Sequence, residues 1–168
     1  MFARSLLVPS ALFALTGLTC ALAAGCSSDD DGDSSPPDGV TCASVTRVDS
    51  EQSLVEAAAN TAAGGCVVVS GTVTSAMSVI VGEGVSLVGA KGGRASIAVT
   101  EAVGSSAIYL GSRAQLGNID IVASPKVGIS LTGSDVKIFD VKVSGAKNAG
   151  IAVTPVQDAV VATLEDVV

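Results

Sequence analysis

The residues of this chain that could carry out chemistry are its carboxylates, because the sequence contains no His and no Trp. Hydrolysis of a glycosidic bond uses two carboxyl groups that face the bond. Asp135 is the most isolated acid, Asp140 follows it closely, and Asp120 lies one sequence repeat before Lys142. Whether two acids meet depends on the elements that hold them.

Those elements repeat along the chain, with a period that carries position 114 onto position 136. Residues 114–121 (AQLGNIDI) align with residues 136–143 (VKIFDVKV), and residues 128–131 (GISL) align with residues 150–153 (GIAV). Each period holds three apolar-x-apolar triplets, and each triplet forms one face of a short strand. One triplet cannot bury its apolar face alone, so stacked periods predict a solenoid with one coil per repeat.

A two-residue corner separates the second and third strands of each coil. Gly117 and Asn118 stand between Leu116 and Ile119, and such a corner favours a residue that tolerates a positive φ. The pattern predicts a column of turn residues, namely Gly89, Asn118, Asp140 and Asp166. The alternative is a chance pattern, since a chain rich in Val and Gly produces triplets freely.

The repeating coil, its corner and the run of residues 84–89 (GVSLVG) resemble right-handed parallel β-helix proteins of the pectin-lyase-like group over about residues 66–168. The resemblance implies an all-β solenoid with a short N-terminal capping helix. Residues 53–56 (SLVE) read as a capping box that opens this helix, which Gly64 and Gly65 end. A surface helix is the alternative.

Further strands are predicted at residues 67–69, 79–81, 85–87, 97–99 and 108–110, and an insert at residues 90–101 lengthens the period that runs from Leu87 to Leu116. Asp120 is expected to stack beside Lys142 on the next coil as an ion pair worth less than about 1 kcal/mol. Asp140 belongs to its turn. The chain lacks the Gly-His-Gly site of polygalacturonases and the Arg-x-Pro-x-x-Arg string of pectate lyases, so we assign no catalytic, cofactor-binding or metal-binding residue.

Residues 1–25 have the pattern of a secretory signal, with one charge at Arg4 and an apolar run over residues 6–22. Cys26 follows Ala-Ala-Gly, which resembles the lipobox of bacterial lipoproteins, although Ala23 stands where Leu is usual. The resemblance implies acylation of Cys26 and attachment to the membrane. Ordinary cleavage without lipid and an uncleaved anchor are the alternatives.

Residues 26–39 are expected to form a disordered acidic tether, because residues 27–39 contain five Asp and no apolar side chain. A calcium site in this run is the alternative, but the later Glu of a calcium loop is missing. Ser27, placed directly after Cys26, resembles lipoproteins that are passed on to the outer membrane. The remaining residues, 40–168, form the predicted β-helix domain.

Cys42 and Cys66 remain once Cys20 has left with the signal and Cys26 is acylated. In an oxidising compartment this pair is expected to form a disulfide. The metal alternative fails because no His or further Cys is present.

The net charge of −7 argues against nucleic acid as a partner. The sequence predicts an envelope lipoprotein, lipid-anchored in the outer membrane and facing the periplasm or the cell surface, whose β-helix is a structural, adhesive or glycan-contacting module with a polysaccharide or cell-surface partner. Glycan binding favours exposed aromatic side chains, and Tyr109 is the only tyrosine. The alternatives are a polysaccharide lyase or glycoside hydrolase and a sandwich-type adhesin.

The apolar final coil, residues 164–168 (LEDVV), is not followed by a capping segment in this sequence. An uncovered coil presents unpaired backbone groups and an apolar cross-section to its surroundings. We therefore expect these residues to be either the N-terminal part of a longer β-helix or a unit capped by a partner, and to self-associate end to end when expressed without the signal.

Overall fold

The computed structural model of the chain describes residues 34–100, 105–154 and 161–168. These residues form one helix and twelve strands. In chain order they are β1 (Val45–Val48), α1 (Glu51–Asn60), β2 (Cys66–Val69), β3 (Thr72–Ser75), β4 (Val79–Val81), β5 (Ser86–Gly89), β6 (Ala95–Val99), β7 (Ser106–Leu110), β8 (Gln115–Ala123), β9 (Val127–Leu131), β10 (Val136–Ser144), β11 (Ala149–Val153) and β12 (Ala162–Val167).

The strands pair in parallel around three faces. Face 1 has the order β1-β2-β5-β8-β10-β12, and face 3 has the order β4-β7-β9-β11. Face 2 lies between them and contains β3, β6 and the second halves of β8 and β10. About five turns with about 22 residues each build a β-solenoid, so the predicted all-β parallel architecture with one short helix is confirmed.

The strand register follows the repeat read from the sequence. Leu116 pairs with Ile138 and Ile129 pairs with Ile151, both at the offset of that repeat. The predicted insert is smaller than expected, because β6 lies within it and Ile97 pairs with Ile121. Only residues 90–94 form a loop that the corner of the next coil lacks, and β1 and β3 were not predicted.

The predicted turn column is confirmed at three of its four positions, where φ is 53° at Asn118, 48° at Asp140 and 49° at Asp166. Gly89 is the exception, since its φ is not in the left-handed region. Glycine is needed there for space, because an added Cβ would lie 2.1 Å from the backbone oxygen of Asn118. A second column of left-handed residues, missed in the sequence, turns face 3 into face 1 at Gly84, Arg113 and Asp135.

The core is a continuous stack of aliphatic side chains. Its largest fully buried members are Leu54, Leu87, Ile97, Ile108, Leu110, Leu116, Ile119, Ile121, Ile129, Leu131, Ile138 and Val67. The coils contribute such residues from all three faces, so each coil buries its apolar atoms against the coils beside it. No single coil therefore holds its own core.

Helix α1 contributes Leu54 and Ala58 to this core and contacts the first four strands. The helix begins at Glu51, and its N-cap is Ser50, which forms a capping box with Ser53. The sequence placed the start of the capping box at Ser53, which is three residues too late. Ala59 and Ala62 lie outside this core and are exposed. The Glu51 carboxylate accepts hydrogen bonds from the amide of Ala76 (2.6 Å) and the hydroxyl of Ser75 (3.1 Å), which joins the helix to the end of β3.

An N-terminal strap, residues 34–44, lies on the outer surface of face 1. Val40 and Cys42 pack there on Val68 and Val88, whose outward side chains are fully buried. The Cys42–Cys66 disulfide, with Cα atoms 5.5 Å apart, fixes the end of the strap to β2. Lys91 pairs with Asp38 at 2.7 Å, so residues 34–39 of the predicted tether lie against the solenoid, while residues 26–33 lie outside the described part.

Candidate functional site

Of the three acids considered for catalysis, Asp135 lies apart from the other two. Asp135 occupies the corner that leads into β10, where its side chain accepts a hydrogen bond from Ser134. Asp140 lies five residues further along β10, a separation of roughly 16 Å in extended backbone. Since glycoside hydrolysis uses carboxyl groups about 5 to 10 Å apart, these two acids do not form a hydrolytic pair.

Asp120 and Asp140 are brought together by Arg94, the last residue of the loop at residues 90–94. The guanidinium donates from Nε to Asp120 and from Nη1 to Asp140 at 2.6 Å, and Nη2 reaches the backbone oxygen of Asp140 at 3.2 Å. The hydrogen bonds to Asp120 and then to Asp140 raise the pKa of Arg94 above its ordinary value. A fixed cation between two carboxylates ties three coils together and neutralises part of their charge.

The predicted ion pair between Asp120 and Lys142 is therefore wrong, because Asp120 pairs with Arg94. The strand register on which the prediction was based is right. Lys142 does lie beside Asp120 on the neighbouring strand. The planar fork of Arg94 reaches both carboxylates at once in a fixed geometry, which a single ammonium does not impose. Little in the sequence indicated this arrangement, because Arg94 and Asp120 are 26 residues apart and Arg94 belongs to the irregular loop.

The outer surface of face 3 carries the tyrosine that the sequence offers for contacts with glycans. Ile80, Tyr109, Ser130 and Ala152 occupy equivalent outward positions on four adjacent strands. Ile80 is 60% exposed and Tyr109 is partly exposed. The pair forms an apolar step, next to which Ser130 is buried, with its hydroxyl 3.1 Å from that of Thr154.

The pKa of Tyr109 reflects partial burial and two nearby serines. Partial burial raises the pKa of the phenol, but hydrogen bonds with the side chains and backbone of Ser105 and Ser106 lower it by more, so its pKa lies below the ordinary value. Ser106 is itself fixed, since its backbone oxygen accepts a 2.8 Å hydrogen bond from Ser78. The side chain of Tyr109 is partly exposed, so it is available to a ligand.

Two shallow depressions flank helix α1. The more apolar of them is lined by Glu51, Gln52, Val55, Glu56, Ala76 and Met77. The Glu51 carboxylate accepts hydrogen bonds from residues at the end of β3. Met77 and Val55 are the larger apolar side chains in the lining. We assign this depression no chemistry.

The described residues contain no group of three or more His, Cys, Asp or Glu side chains that could hold a metal ion. Within the same residues, no helix has the length and apolar character needed to cross a membrane. The predicted secretory signal and the acylation site at Cys26 lie outside the described part of the chain.

Comparisons with known proteins give no match. Protein-family models, curated proteins and solved structures were all compared with the chain. The assignment of a β-solenoid therefore rests on the strand pairing in the structure of this chain. Membership of the pectin-lyase-like group or of the lipoproteins stays a prediction.

Proposed function

We propose that this protein is an envelope lipoprotein whose solenoid contacts glycans through the outer surface of face 3. The observation that carries the proposal is the step formed by the exposed Ile80 and the partly exposed Tyr109 on adjacent strands. Sugars present C–H groups on one face and hydroxyls at the edge, so a partly exposed tyrosine ring offers complementary contacts. Amphipathic tyrosine suits such contacts, because its ring is apolar and its hydroxyl is polar.

The positions and ion pairs of the three candidate acids favour an adhesive or contact role over catalysis. Asp120 and Asp140 are both engaged by Arg94, and Asp135 lies far from Asp140 along β10. A polysaccharide lyase or glycoside hydrolase of the pectin-lyase-like group is the competing function. It predicts that incubation with a polysaccharide releases unsaturated or reducing ends, which a contact module does not release.

The glycan role is tested by tyrosine fluorescence, because Tyr109 is the only Tyr of a chain without Trp. The full chain is titrated with a panel of soluble polysaccharides, including a neutral β-glucan and a polyuronate. We expect at least one polymer to change the emission and Ile80→Ala to weaken its binding. Val122→Ala is the matched control, since Val122 is a 46% exposed aliphatic residue on face 2.

Tyr109 itself is tested in a binding assay that does not use its fluorescence, such as affinity electrophoresis. Tyr109→Ala should abolish the retardation by the polymer, whereas Val122→Ala should retain it. Equal retardation of the two variants would refute the assignment of face 3.

The lipid anchor is tested separately at Cys26. Replacing Cys26 with Ser should move the protein from the membrane fraction to the soluble fraction and abolish palmitate labelling. Membrane partition that survives the change would contradict acylation at this residue and favour an uncleaved anchor.

A further inference from the structure

Three lysines differ from the other described cations in their surroundings. Lys91, Arg94, Arg113 and Lys137 each form an ion pair with a carboxylate, and Arg47 donates to the backbone oxygen of Ser34 at 3.3 Å. Lys126, Lys142 and Lys147 are exposed, and none of them pairs with a carboxylate among the residues that the structure describes. In a chain with a net charge of −7, these lysines carry positive charge that no described carboxylate neutralises.

These lysines gather where face 2 turns into face 3. Lys126 ends the turn between β8 and β9, and Lys147 lies in the turn between β10 and β11. The two turns are joined by backbone hydrogen bonds, from the amide of Lys147 to the oxygen of Pro125 (3.2 Å) and from the amide of Asn148 to the oxygen of Lys126 (2.7 Å). Lys142 points outward from β10, two residues before that strand ends.

The lysine corner, defined as Lys126 and Lys147, adjoins the tyrosine of face 3. The amide of Val127 donates to the oxygen of Ser105 at 2.9 Å, so Lys126 and Ser105 are neighbours on adjacent coils. Tyr109 pairs with Ser130, which follows Lys126 by four residues in the chain. With a rise of about 3.3 Å per residue and adjacent strands about 4.8 Å apart, the Cα atoms of Lys126 and Tyr109 are roughly 14 Å apart, a gap that the two long side chains narrow.

We propose that the lysine corner and Tyr109 form one site for an anionic glycan. One sugar of the glycan stacks on Tyr109, and a phosphate or carboxylate group of the same glycan lies against the ammonium groups of Lys126 and Lys147. Unlike a guanidinium, an ammonium is a compact point charge that imposes no planar geometry on its partner, so both kinds of anion fit. The proposal rests on the glycan-contacting role proposed above and adds the charge of the ligand.

The expected effect is modest, because both lysines are exposed. An exposed ion pair contributes about 0.2 to 1 kcal/mol, and two of them correspond to roughly a twofold to thirtyfold change in Kd. Screening reduces this effect at high salt, since the Debye length is about 10 Å at 0.1 M and about 3 Å at 1 M.

The test measures tyrosine fluorescence of the full chain with three polymers, namely a polyuronate, a phosphorylated polysaccharide and a neutral β-glucan. We expect the wild type to prefer at least one anionic polymer over the neutral one, and this preference to decrease with salt. The double variant Lys126→Gln/Lys147→Gln should lose the preference while its affinity for the neutral polymer stays the same. Lys137→Gln, which removes a lysine paired with Glu165 on face 1, is the matched control and should keep the preference.

The outcomes separate the two proposals. Equal binding of anionic and neutral polymers, or equal losses in the double variant and in Lys137→Gln, would overturn the lysine site and leave the glycan role standing. Binding of anionic polymers that needs the lysines but survives Tyr109→Ala in affinity electrophoresis would overturn the shared site and the role of Tyr109. Lysine-dependent binding to phosphatidylglycerol vesicles without binding to any polysaccharide would show that the ligand is a membrane surface, and the glycan assignment would then be wrong.

Discussion

The corner residue Asn118 offers the most direct test of the coil geometry. Its backbone has φ of 53°, and its side-chain amide donates to the backbone oxygen of Ala90 at 2.9 Å and to that of Gly89 at 3.4 Å. Asn118→Val affects both features, because a β-branched residue resists positive φ and cannot donate a hydrogen bond.

The magnitude follows from these two features. A residue forced into the left-handed region costs about 1 to 3 kcal/mol, and a lost hydrogen bond costs about 0.5 to 1.5 kcal/mol. We therefore expect Asn118→Val to lower the free energy of unfolding by about 2 to 4 kcal/mol. Asn118→Gly relieves the φ restriction and loses only the hydrogen bonds, so it should cost about 1 kcal/mol.

Urea unfolding followed by far-UV circular dichroism measures both variants. Gln115→Val is the control, since residue 115 points outward from the same strand with an ordinary backbone, and it should change stability by less than about 0.5 kcal/mol. Equal losses for Asn118→Val and Asn118→Gly would show that positive φ carries no cost here. Such a result would refute the turn column as a determinant of the register.

Contacts elsewhere on the solenoid lead to three more predictions. Gly117→Ala should destabilise the protein by about 1 to 3 kcal/mol, because a Cβ there would lie 2.1 Å from the ring of Phe139. Gly93→Ala is the control, since the space around residue 93 is open. Equal melting temperatures of the two variants would contradict the close contact between residue 117 and Phe139. Cys42→Ser should cost about 3 kcal/mol, and a reductant should lower the melting temperature of the wild type alone. The pKa of Tyr109, followed by its ultraviolet absorbance, should lie below the roughly 10 of free tyrosine, because the effect of Ser105 and Ser106 outweighs that of partial burial. Replacing both serines by Ala should raise this pKa, and an unchanged pKa would refute the assignment.

The fold was predictable where the sequence repeats. The offset of the repeat places Leu116 on Ile138, and stacked coils need the same kind of residue at each inward position, so the periodicity is visible in the sequence itself. Strands β1 and β3 were missed because neither has a clear repeat partner in the sequence. The strap was missed for a different reason, since its few apolar residues, such as Val40, bury themselves on an outer surface that only the folded solenoid creates.

The site was less predictable than the fold, because its residues lie outside the repeat. Arg94 belongs to a loop that the next coil lacks, and its two partners come from two different coils. Lys147 lies one position short of an exact repeat of Lys126, so the two lysines do not align in the sequence. Tyr109 was identifiable from the sequence as the only tyrosine, but its position one coil from Lys126 was not.

This separation between core and surface determines where function can arise in such a chain. Inward positions such as Ile119 and Ile121 are fully buried and stack on equivalent positions of the next coil, so a change there disturbs two neighbours. The outward positions tolerate changes of residue type. Asp120 pairs with Lys142 and Val122 pairs with Ser144 on the next coil, and the register is unchanged. Binding chemistry on a solenoid is therefore built from outward positions of adjacent coils, and Tyr109 with Lys126 and Lys147 is the place where this chain combines an aromatic ring with positive charge that no described carboxylate neutralises.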